Sequence, residues 1–403
     1  MVRNLAMLSV ILFHAVAAYS TVTPHWGLHD GSFVAADIIR HLFDVFMMPV
    51  FFFVAGFFAL PSLTKQGSWK FLKGKFKRLG VPWLLAILIV VPIFLFMAFI
   101  GQMRPDVRHL HPPFWQYWIT YLKSFGTFQI GMFTYGRMNQ MHFWFLSLLL
   151  AFFVIVGLFH AVRTRRPGTI DGSSTKGPAS NKSILSALLV AAVLTSLGYF
   201  IIILLTPEMS WVTIDLLLQF QPTNLISFIA CFALGAFAYS RQWFAGDEFP
   251  GRLMIWVPVS ILLTAGFFMI GQDVFAHPST SHQLSPMLLL IFSFTRTFLC
   301  LAFLVLFIAY ARKYWNRPSR FNQNLSSNSY NIYLAHMFFV SFFQGLFMTW
   351  QGGPALAKAG IAFVLTLPLS YGISRLIDRF PRGFALGLVA LFIFFCIGRY
   401  IGI

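Results

Sequence analysis

Arg3 and His14, near the start of the chain, have the types and spacing of a proton-transfer pair. They are eleven residues apart, which is close to three helical turns and about 16 Å, so both side chains share one face of a helix. An uncharged imidazole accepts a proton from a hydroxyl group brought to it. A buried histidine also serves simply as a hydrogen-bond partner for a neighbouring helix. Both interpretations of His14 stay open.

A second polar group follows at helical spacing. Asp37, Arg40, His41 and Asp44 stand at offsets 0, 3, 4 and 7 and therefore project from one stripe of a helix. Such a stripe either orients His14 and binds a hydroxylated ligand, or forms a structural ion-pair network without further function.

Six cations lie between Lys65 and Arg78, immediately before Val81 and Pro82. Lys75 and Arg78 are candidates for holding the phosphates of coenzyme A or a nucleotide. Lipid-headgroup anchoring and the ordinary bias of basic residues toward cytoplasmic loops explain the same pattern.

Two further intramembrane polar residues lie in the second half of the chain. The run from Asn328 to His336 gives a helix a polar start and places His336 about 12 Å along it, so His336 and His14 are expected to meet at similar depth. Arg296 lies in an apolar run without an evident local partner and is predicted to bind a carboxylate or a helix-end carbonyl.

The elements that carry these residues are membrane helices. Hydrophobic residues make up 58% of the 403 residues, charged residues 10%, and Phe occurs 50 times, which is far from the balance of a water-soluble domain. The net charge of +18 comes from cations placed between apolar runs. That placement indicates cytoplasmic loops and argues against a nucleic-acid partner.

Eleven apolar runs are long enough to span a bilayer, which predicts an all-α polytopic bundle of about eleven helices, ten to twelve at the limits. The runs lie near residues 4–23, 36–60, 80–101, 142–162, 184–205, 223–240, 253–271, 286–311, 328–350, 356–377 and 383–402. The stretch from Pro113 to Phe133 is half apolar and is expected to lie along the membrane surface. Residues 1–403 are predicted to form one membrane domain without a separate soluble domain.

Loop charges predict the orientation of this bundle. Cations are concentrated in the amino-terminal segment and in alternate loops after it, whereas the opposite loops carry only Arg104, Arg108, Lys123 and Arg137. The amino terminus is therefore expected in the cytoplasm.

Neither disulfides nor a metal are predicted. Cys231, Cys300 and Cys396 lie in apolar runs without CxxC spacing. The loop histidines lack compact ligand spacing and are expected to have surface roles; they are His25, His29, His109, His111, His277 and His282.

Five short motifs occur in a fixed order along the chain. They are Arg3 to His14, with ten residues between them, VFFFVAGFF from Val50, KRLGVP from Lys77, HFWFL from His142 and SYNIYLAH from Ser329. The set resembles acyltransferase family 3 of bacterial envelope proteins, which includes glucan succinyltransferases and polysaccharide or lipopolysaccharide O-acetyltransferases. Ala55, where the family usually has serine, and Lys75, in the first place of an RxxR pair completed by Arg78, depart from its pattern.

The resemblance implies transfer of an acyl group, acetyl or succinyl, from a cytoplasmic acyl-coenzyme A to a hydroxyl of an envelope glycan or glycolipid at a bacterial inner membrane. On this hypothesis Lys75 and Arg78 hold donor phosphates, Arg3 orients the donor, and His14 acts as general base or transient acyl carrier, assisted by His336. The expected acceptor contacts are Asp37, Arg40, Asp44, His142, Trp144 and Tyr330.

Two other classes of protein remain as alternatives. A transporter or flippase of a sugar or lipid-linked substrate would also be polytopic with intramembrane charges, although no internal duplication is visible in the sequence. A scaffold that has lost activity would fold without binding donor. The oligomeric state is not predicted.

Overall fold

The computed structural model describes residues 2–22, 26–102, 111–124, 128–131, 139–164, 179–214, 217–246, 249–315 and 319–397. Within these ranges the helices are α1 Val2–Ala15, α2 Val34–Gln66, α3 Ser68–Lys75, α4 Val81–Leu85, α5 Val91–Gln102, α6 Phe114–Lys123, α7 Trp144–Thr164, α8 Asn181–Leu205, α9 Pro222–Ser240, α10 Leu253–Ala276, α11 Pro286–Tyr314, α12 Arg320–Phe347, α13 Ala355–Arg379 and α14 Pro381–Ile397. The strands are β1 Phe128–Gly131, β2 Trp211–Ile214 and β3 Leu218–Phe220.

The prediction of a polytopic all-α membrane protein is confirmed. A helix of the described chain overlaps each of the eleven apolar runs, although α1 ends at Ala15, earlier than the predicted run to residue 23. Eight helical spans of the described chain are long and apolar enough to cross a bilayer. Helices α1 and α14 are apolar but shorter, and α12 begins with polar turns. The helical span predicted to begin near residue 80 begins earlier, at Ser68, because α3, α4 and α5 form one continuous rod.

Helices α2 and α9 approach each other through two glycines. A Cβ atom placed on Gly56 would lie 2.0 Å from the carbonyl oxygen of Phe232, and one placed on Gly235 would lie 2.0 Å from that of Phe53. Small residues let helix backbones meet this closely in a membrane. Phe52 and Phe228 then stack across the same interface with ring centroids 4.7 Å apart.

The rod from α3 to α5 widens to π-helical turns at Phe76–Gly80 and Ala86–Val90, next to two prolines. Pro82 and Pro92 have no N–H to donate to the carbonyls of the preceding turn. The Tyr330 hydroxyl donates to the Arg78 carbonyl at 2.5 Å, and the Trp118 indole donates to the Leu88 carbonyl at 2.9 Å. Side chains from other helices thus satisfy the carbonyls that the prolines free.

The segment between α5 and α7 contains more structure than the sequence predicted. Helix α6 packs against the rod, where Tyr121 donates to the Ile87 carbonyl at 3.1 Å, and against α14 through Phe114 and Phe392. Strand β1 pairs antiparallel with β2, and β2 pairs antiparallel with β3. Strands of three or four residues leave no readable alternation in a sequence, so this small sheet was not predicted.

The sheet is linked to the start of α7 by buried amides. Gln219 of β3 accepts from the Gln140 backbone N–H at 2.8 Å and donates to Thr213 of β2 at 3.2 Å. The Gln140 side chain in turn accepts from Trp83 at 3.1 Å and from Ser147 at 2.7 Å. These bonds fix the chain immediately before His142.

Candidate functional site

Helix α1 is buried in the bundle along the face that carries Arg3 and His14. Met7 and Ile11 pack with Ile332 and Val340 of α12, so α1 and α12 lie side by side. This packing brings His14 against His336, whose Nε2 lies 3.2 Å from His14 Nδ1. The two histidines that the sequence placed at similar depth therefore meet.

Backbone carbonyls determine the tautomers of this pair. His336 Nδ1 lies 2.6 Å from the Tyr333 carbonyl, and His14 Nδ1 lies 2.9 Å from the Val10 carbonyl. Since a carbonyl only accepts, both Nδ1 atoms carry hydrogen, and neutral His336 then presents a lone pair on Nε2. In this tautomer the single His14 Nδ1–H is shared between the Val10 carbonyl and the His336 Nε2 lone pair. His14 Nε2 is left as an unprotonated lone pair.

His142 is the third histidine of the cluster. Its ring centroid lies 5.4 Å from that of His336 and 6.3 Å from that of His14. It is buried, and neither ring nitrogen has a hydrogen-bond partner among the described residues. The preceding residue, Met141, has a φ of 47°, a left-handed conformation that costs a non-glycine residue energy and is often found at functional sites.

Side chains along one face of α12 contact the other members of the cluster. Tyr330 bonds the Arg78 carbonyl, and Tyr333 donates its hydroxyl to the His142 carbonyl. His336 contacts His14 one turn later, and Gln344 reaches the carboxyl end of α1. Because residues three and four apart lie on one helical face, a single face of α12 organises the site.

Gln344 caps α1 at His14. Its side-chain amide donates to the carbonyls of His14 and Ala15, at 2.9 and 3.1 Å. Its oxygen accepts from the indole N–H of Trp26 at 2.9 Å, and the Trp26 ring lies 5.8 Å from the His14 ring. The last carbonyls of a helix lack partners within it, so Gln344 satisfies them and fixes the end of α1.

Basic residues gather at the end of the bundle that holds Arg3, here called the Arg3 end. Arg3 donates to the carbonyl and to the hydroxyl of Ser326. It lies within electrostatic reach of Arg78, whose guanidinium lies 5.6 Å from the Tyr330 ring. Lys75 is also within reach of Arg78 and lies over the Phe153 ring at 4.1 Å. No salt bridge to these three cations occurs among the described residues, so their charge is available to an anion.

The four side chains of the stripe on α2 contact different partners. Among the described residues they form no ion pair with one another. Asp37 accepts from Ser20 at 2.6 Å and from the backbone and hydroxyl of Thr21 at 2.8 and 2.7 Å, which fixes the segment after α1. Arg40 lies 3.6 Å from the Phe13 ring and bonds the Phe13 carbonyl at 3.2 Å, close to His14. His41 stacks on Phe275 with centroids 3.9 Å apart.

Asp44 reaches a buried network around Arg296. Arg296 is 1% exposed and bonds Asp44 at 3.1 Å and Asn224 at 2.5 Å, with the Glu208 carboxylate 3.5 Å away. Tyr199 donates to the same carboxylate. The sequence predicted a carboxylate partner for Arg296, and the structure has two, those of Asp44 and Glu208. The Asp44 side chain is 46% exposed, which leaves it accessible to a ligand.

The remaining predicted site residues lie on either side of these groups. Trp144 packs on Phe228 and Trp211, with centroids 5.7 and 5.6 Å apart. Phe228 is one turn from Asn224 on α9, so Trp144 and the Arg296 network share a neighbouring helix face. Tyr330, expected among the acceptor contacts, lies instead with Arg78 at the Arg3 end.

Gln344, Trp26, Glu208 and Asn224 were not predicted as site residues. Gln344 carried a signal, since an amide within an apolar run is costly unless it has a partner. The identity of that partner depends on which helices are neighbours, and the sequence alone does not give it.

No group of three or more His, Cys, Asp or Glu side chains in the described ranges is arranged to hold a metal ion. His29, His277 and His282 lie outside the histidine cluster, and His277 bonds the Asp273 carbonyl at 3.1 Å. His25 and His109 fall outside the described residues. Cys231, Cys300 and Cys396 are free thiols.

A family model described as an acyltransferase domain matches residues 1–375 of the chain. No curated protein and no solved structure matches the chain. The match extends over α1 to α12 and most of α13, and so includes every residue of the histidine cluster and of the Arg3 end. The chain therefore belongs to acyltransferase family 3 and is a multi-pass membrane acyltransferase.

Proposed function

We propose that this protein transfers an acetyl or succinyl group from cytoplasmic acyl-coenzyme A to a hydroxyl group of an envelope glycan or glycolipid at a bacterial inner membrane. The observation that carries the proposal is the state of His14. Its Nδ1–H is engaged by the Val10 carbonyl and His336, which leaves the Nε2 lone pair free to accept a proton. A neutral imidazole held in one tautomer by a second group is the arrangement that a general base requires.

The Arg3 end is the proposed entry for the donor. Coenzyme A carries several phosphate charges, and Arg3, Lys75 and Arg78 supply cations without acidic partners among the described residues. Guanidinium groups bind phosphate oxygens in pairs. The orientation predicted from loop charges puts this end in the cytoplasm, where acyl-coenzyme A is available.

The acceptor is proposed to enter from the opposite side of His14. Arg40 lies near His14, and Asp44 offers a half-exposed carboxylate one turn further along α2. An exposed carboxylate in a membrane helix requires water or a polar ligand, because hydrocarbon does not solvate it. Sugar hydroxyls meet that requirement, and the Trp144 ring supplies an apolar surface for a sugar face.

The reaction proposed for these groups is a direct transfer. His14 Nε2 takes the proton from the acceptor hydroxyl as the hydroxyl oxygen attacks the thioester carbon. The tetrahedral intermediate then expels the sulfur of coenzyme A, which takes the proton back from His14 and leaves as the thiol. His336 positions the imidazole and accepts the hydrogen bond from its Nδ1–H, and that bond strengthens when His14 becomes charged.

Release of free coenzyme A from acetyl-coenzyme A tests the proposal. Purified protein in detergent would be given acetyl-coenzyme A and a bacterial envelope-glycan extract, with wild type, His14→Ala and His277→Gln compared. Turnover by wild type and by the exposed-histidine control, but not by a folded His14→Ala variant, supports acyl transfer through His14. Equal turnover in all three contradicts that role. Absence of turnover in all three, across acetyl and succinyl donors, contradicts the proposed acyl donors.

A further inference from the structure

His142 belongs to the histidine cluster, but it takes no part in the hydrogen bonds that fix the His14 and His336 tautomers. It also has no role in the proposed general-base step. Its side chain is 8% exposed, and in the part of the chain that the structure describes neither ring nitrogen has a hydrogen-bond partner. A buried polar atom without a partner is costly, and in a native fold it indicates a ligand, a water or a catalytic role. Its carbonyl, by contrast, is held by Tyr333, so the backbone at this residue is fixed while the ring is left unengaged.

The position of the ring restricts what it can contact. His142 faces His14 with ring centroids 6.3 Å apart and an angle of 67° between the planes. At this separation, each ring can form a hydrogen bond of about 2.8 Å to an oxygen of the reacting group. The two oxygens are bound to the same tetrahedral carbon. An acyl carbon attacked by a hydroxyl that is bonded to His14 therefore brings its carbonyl oxygen within reach of His142.

The surroundings fix the backbone that carries this ring. Met141 adopts a left-handed backbone that is secured by the Asn139 side chain, which accepts from the Met141 N–H at 2.6 Å. Gln140 is held by Gln219 through its backbone and by Trp83 and Ser147 through its side chain. A donor that stabilises a developing oxyanion is effective when it needs no reorientation during the reaction.

We propose that His142 is a catalytic residue whose ring N–H donates a hydrogen bond to the carbonyl oxygen of the acyl group during transfer. As the acceptor oxygen forms its bond to the acyl carbon, the carbonyl π pair moves to oxygen and the His142 N–H stabilises that charge. When the C–S bond breaks, its electron pair leaves with sulfur, the carbonyl re-forms, and the proton held by His14 goes to sulfur. A neutral imidazole acts in this way without giving up its proton.

This inference rests on the proposed function but differs from it in what it predicts. A general base and a carbonyl donor respond differently to substitution, because only the base changes protonation during the cycle. Loss of His14 is expected to abolish the pH-dependent limb of kcat/KM. Loss of His142 is expected to lower kcat and to leave that limb in place.

The test is a kinetic comparison of His142→Phe, which removes the donor, with His142→Gln, which restores an N–H donor. Acetyl-coenzyme A and the envelope-glycan extract serve as probes, with His277→Gln as the matched histidine control and thermal unfolding as the check on folding. His142→Phe is expected to lower kcat by about 10²–10³-fold, with apparent KM values for both probes changed less than about threefold. His142→Gln should recover at least about a tenth of the lost rate.

Four outcomes would overturn the inference, and each contradicts a different claim. If His142→Phe raises the apparent KM for glycan at unchanged kcat, His142 is an acceptor contact and not a carbonyl donor. If His142→Gln is as slow as a folded His142→Phe, hydrogen-bond donation is not what the ring contributes. If wild type releases no coenzyme A, the proposed function fails and this inference fails with it, whereas an active wild type with an unaffected His142→Phe removes this inference alone.

Discussion

The side-chain amide of Gln344, in α12, donates hydrogen bonds to the carbonyls of His14 and Ala15, in the last turn of α1. The proposed general base therefore stands at a helix end whose unpaired carbonyls are satisfied from a different helix. The same side chain accepts from Trp26, whose loop is tied to α13 by the ion pair of Asp30 with the buried Lys358 at 2.6 Å. The position of His14 thus depends on contacts that reach α12, α13 and the loop before α2.

Gln344→Met is expected to reduce both stability and turnover. The thioether has nearly the same length as the amide but no N–H, so two buried carbonyls lose their donors, at a cost of about 1–3 kcal/mol. Thermal unfolding and coenzyme A release would measure the two effects. Gln323→Met, at an exposed position of α12, is the matched control. Unchanged turnover in Gln344→Met would show that the cap does not position His14.

Tyr330→Phe is expected to raise the KM for acyl-coenzyme A by several-fold while changing kcat little. The variant removes the donor to the Arg78 carbonyl, which Pro82 cannot satisfy, and so loosens a proposed phosphate-binding residue. Adding Pro82→Ala should partly restore the KM, because alanine at this position supplies the missing backbone N–H. The coupling between the two substitutions is expected to be about 1 kcal/mol. Strict additivity of the two effects would contradict this explanation, and Tyr314→Phe in α11 is the control.

Gly56→Ala and Gly235→Ala are each expected to destabilise the protein by about 1–3 kcal/mol, as overpacking does. In both cases the new methyl group meets a carbonyl oxygen of the partner helix, and a backbone cannot rotate away as a side chain can. Gly360→Ala in α13 is the control, since a Cβ there meets nothing within 4 Å. Alanine favours helix over glycine by about 1 kcal/mol, so the control should be neutral or stabilising. Equal unfolding temperatures in all three variants would show that α2 and α9 are not in such close contact.

Arg296→Met is expected to prevent stable folding. The substitution leaves the carboxylates of Asp44 and Glu208 without their cation, and removing one partner of a buried pair costs about 3–5 kcal/mol. Adding Asp44→Asn and Glu208→Gln should recover much of the yield of folded protein, measured by size-exclusion chromatography in detergent. Failure of this neutral triple variant to recover any folded protein would mean that Arg296 supports the fold through packing and not through charge.

The sequence predicted the helices and the pairing of two site residues, and the reason is physical. A helix that spans a bilayer needs about 20 apolar residues, so runs of that length reveal it. The depth of His14 and of His336 followed from helical rise alone, and their contact is found in the structure. Family membership followed from five motifs in order and is confirmed by the match over residues 1–375.

The rest of the site depends on which helices are neighbours. Arg296 meets Asp44 across 252 positions of sequence, and Gln344 meets His14 across 330. Helical periodicity identifies the face of each residue but not the helix that it faces. The hydrogen bonds of Tyr330 to the Arg78 carbonyl and of Trp118 to the Leu88 carbonyl were not predicted. The donor, acceptor and orientation remain predictions.

Transfer of labelled acetyl groups is the most direct test of the central claim, that His14 Nε2 takes the proton from an acceptor hydroxyl. Proteoliposomes containing wild type, His14→Gln or His277→Gln would be given labelled acetyl-coenzyme A and the envelope-glycan extract, and ester-linked label on glycan would be measured. We expect label on glycan from wild type and from the control, a loss of at least about 10²-fold in His14→Gln, and equal binding of acetyl-coenzyme A by all three. Transfer by His14→Gln at the wild-type rate would contradict the account.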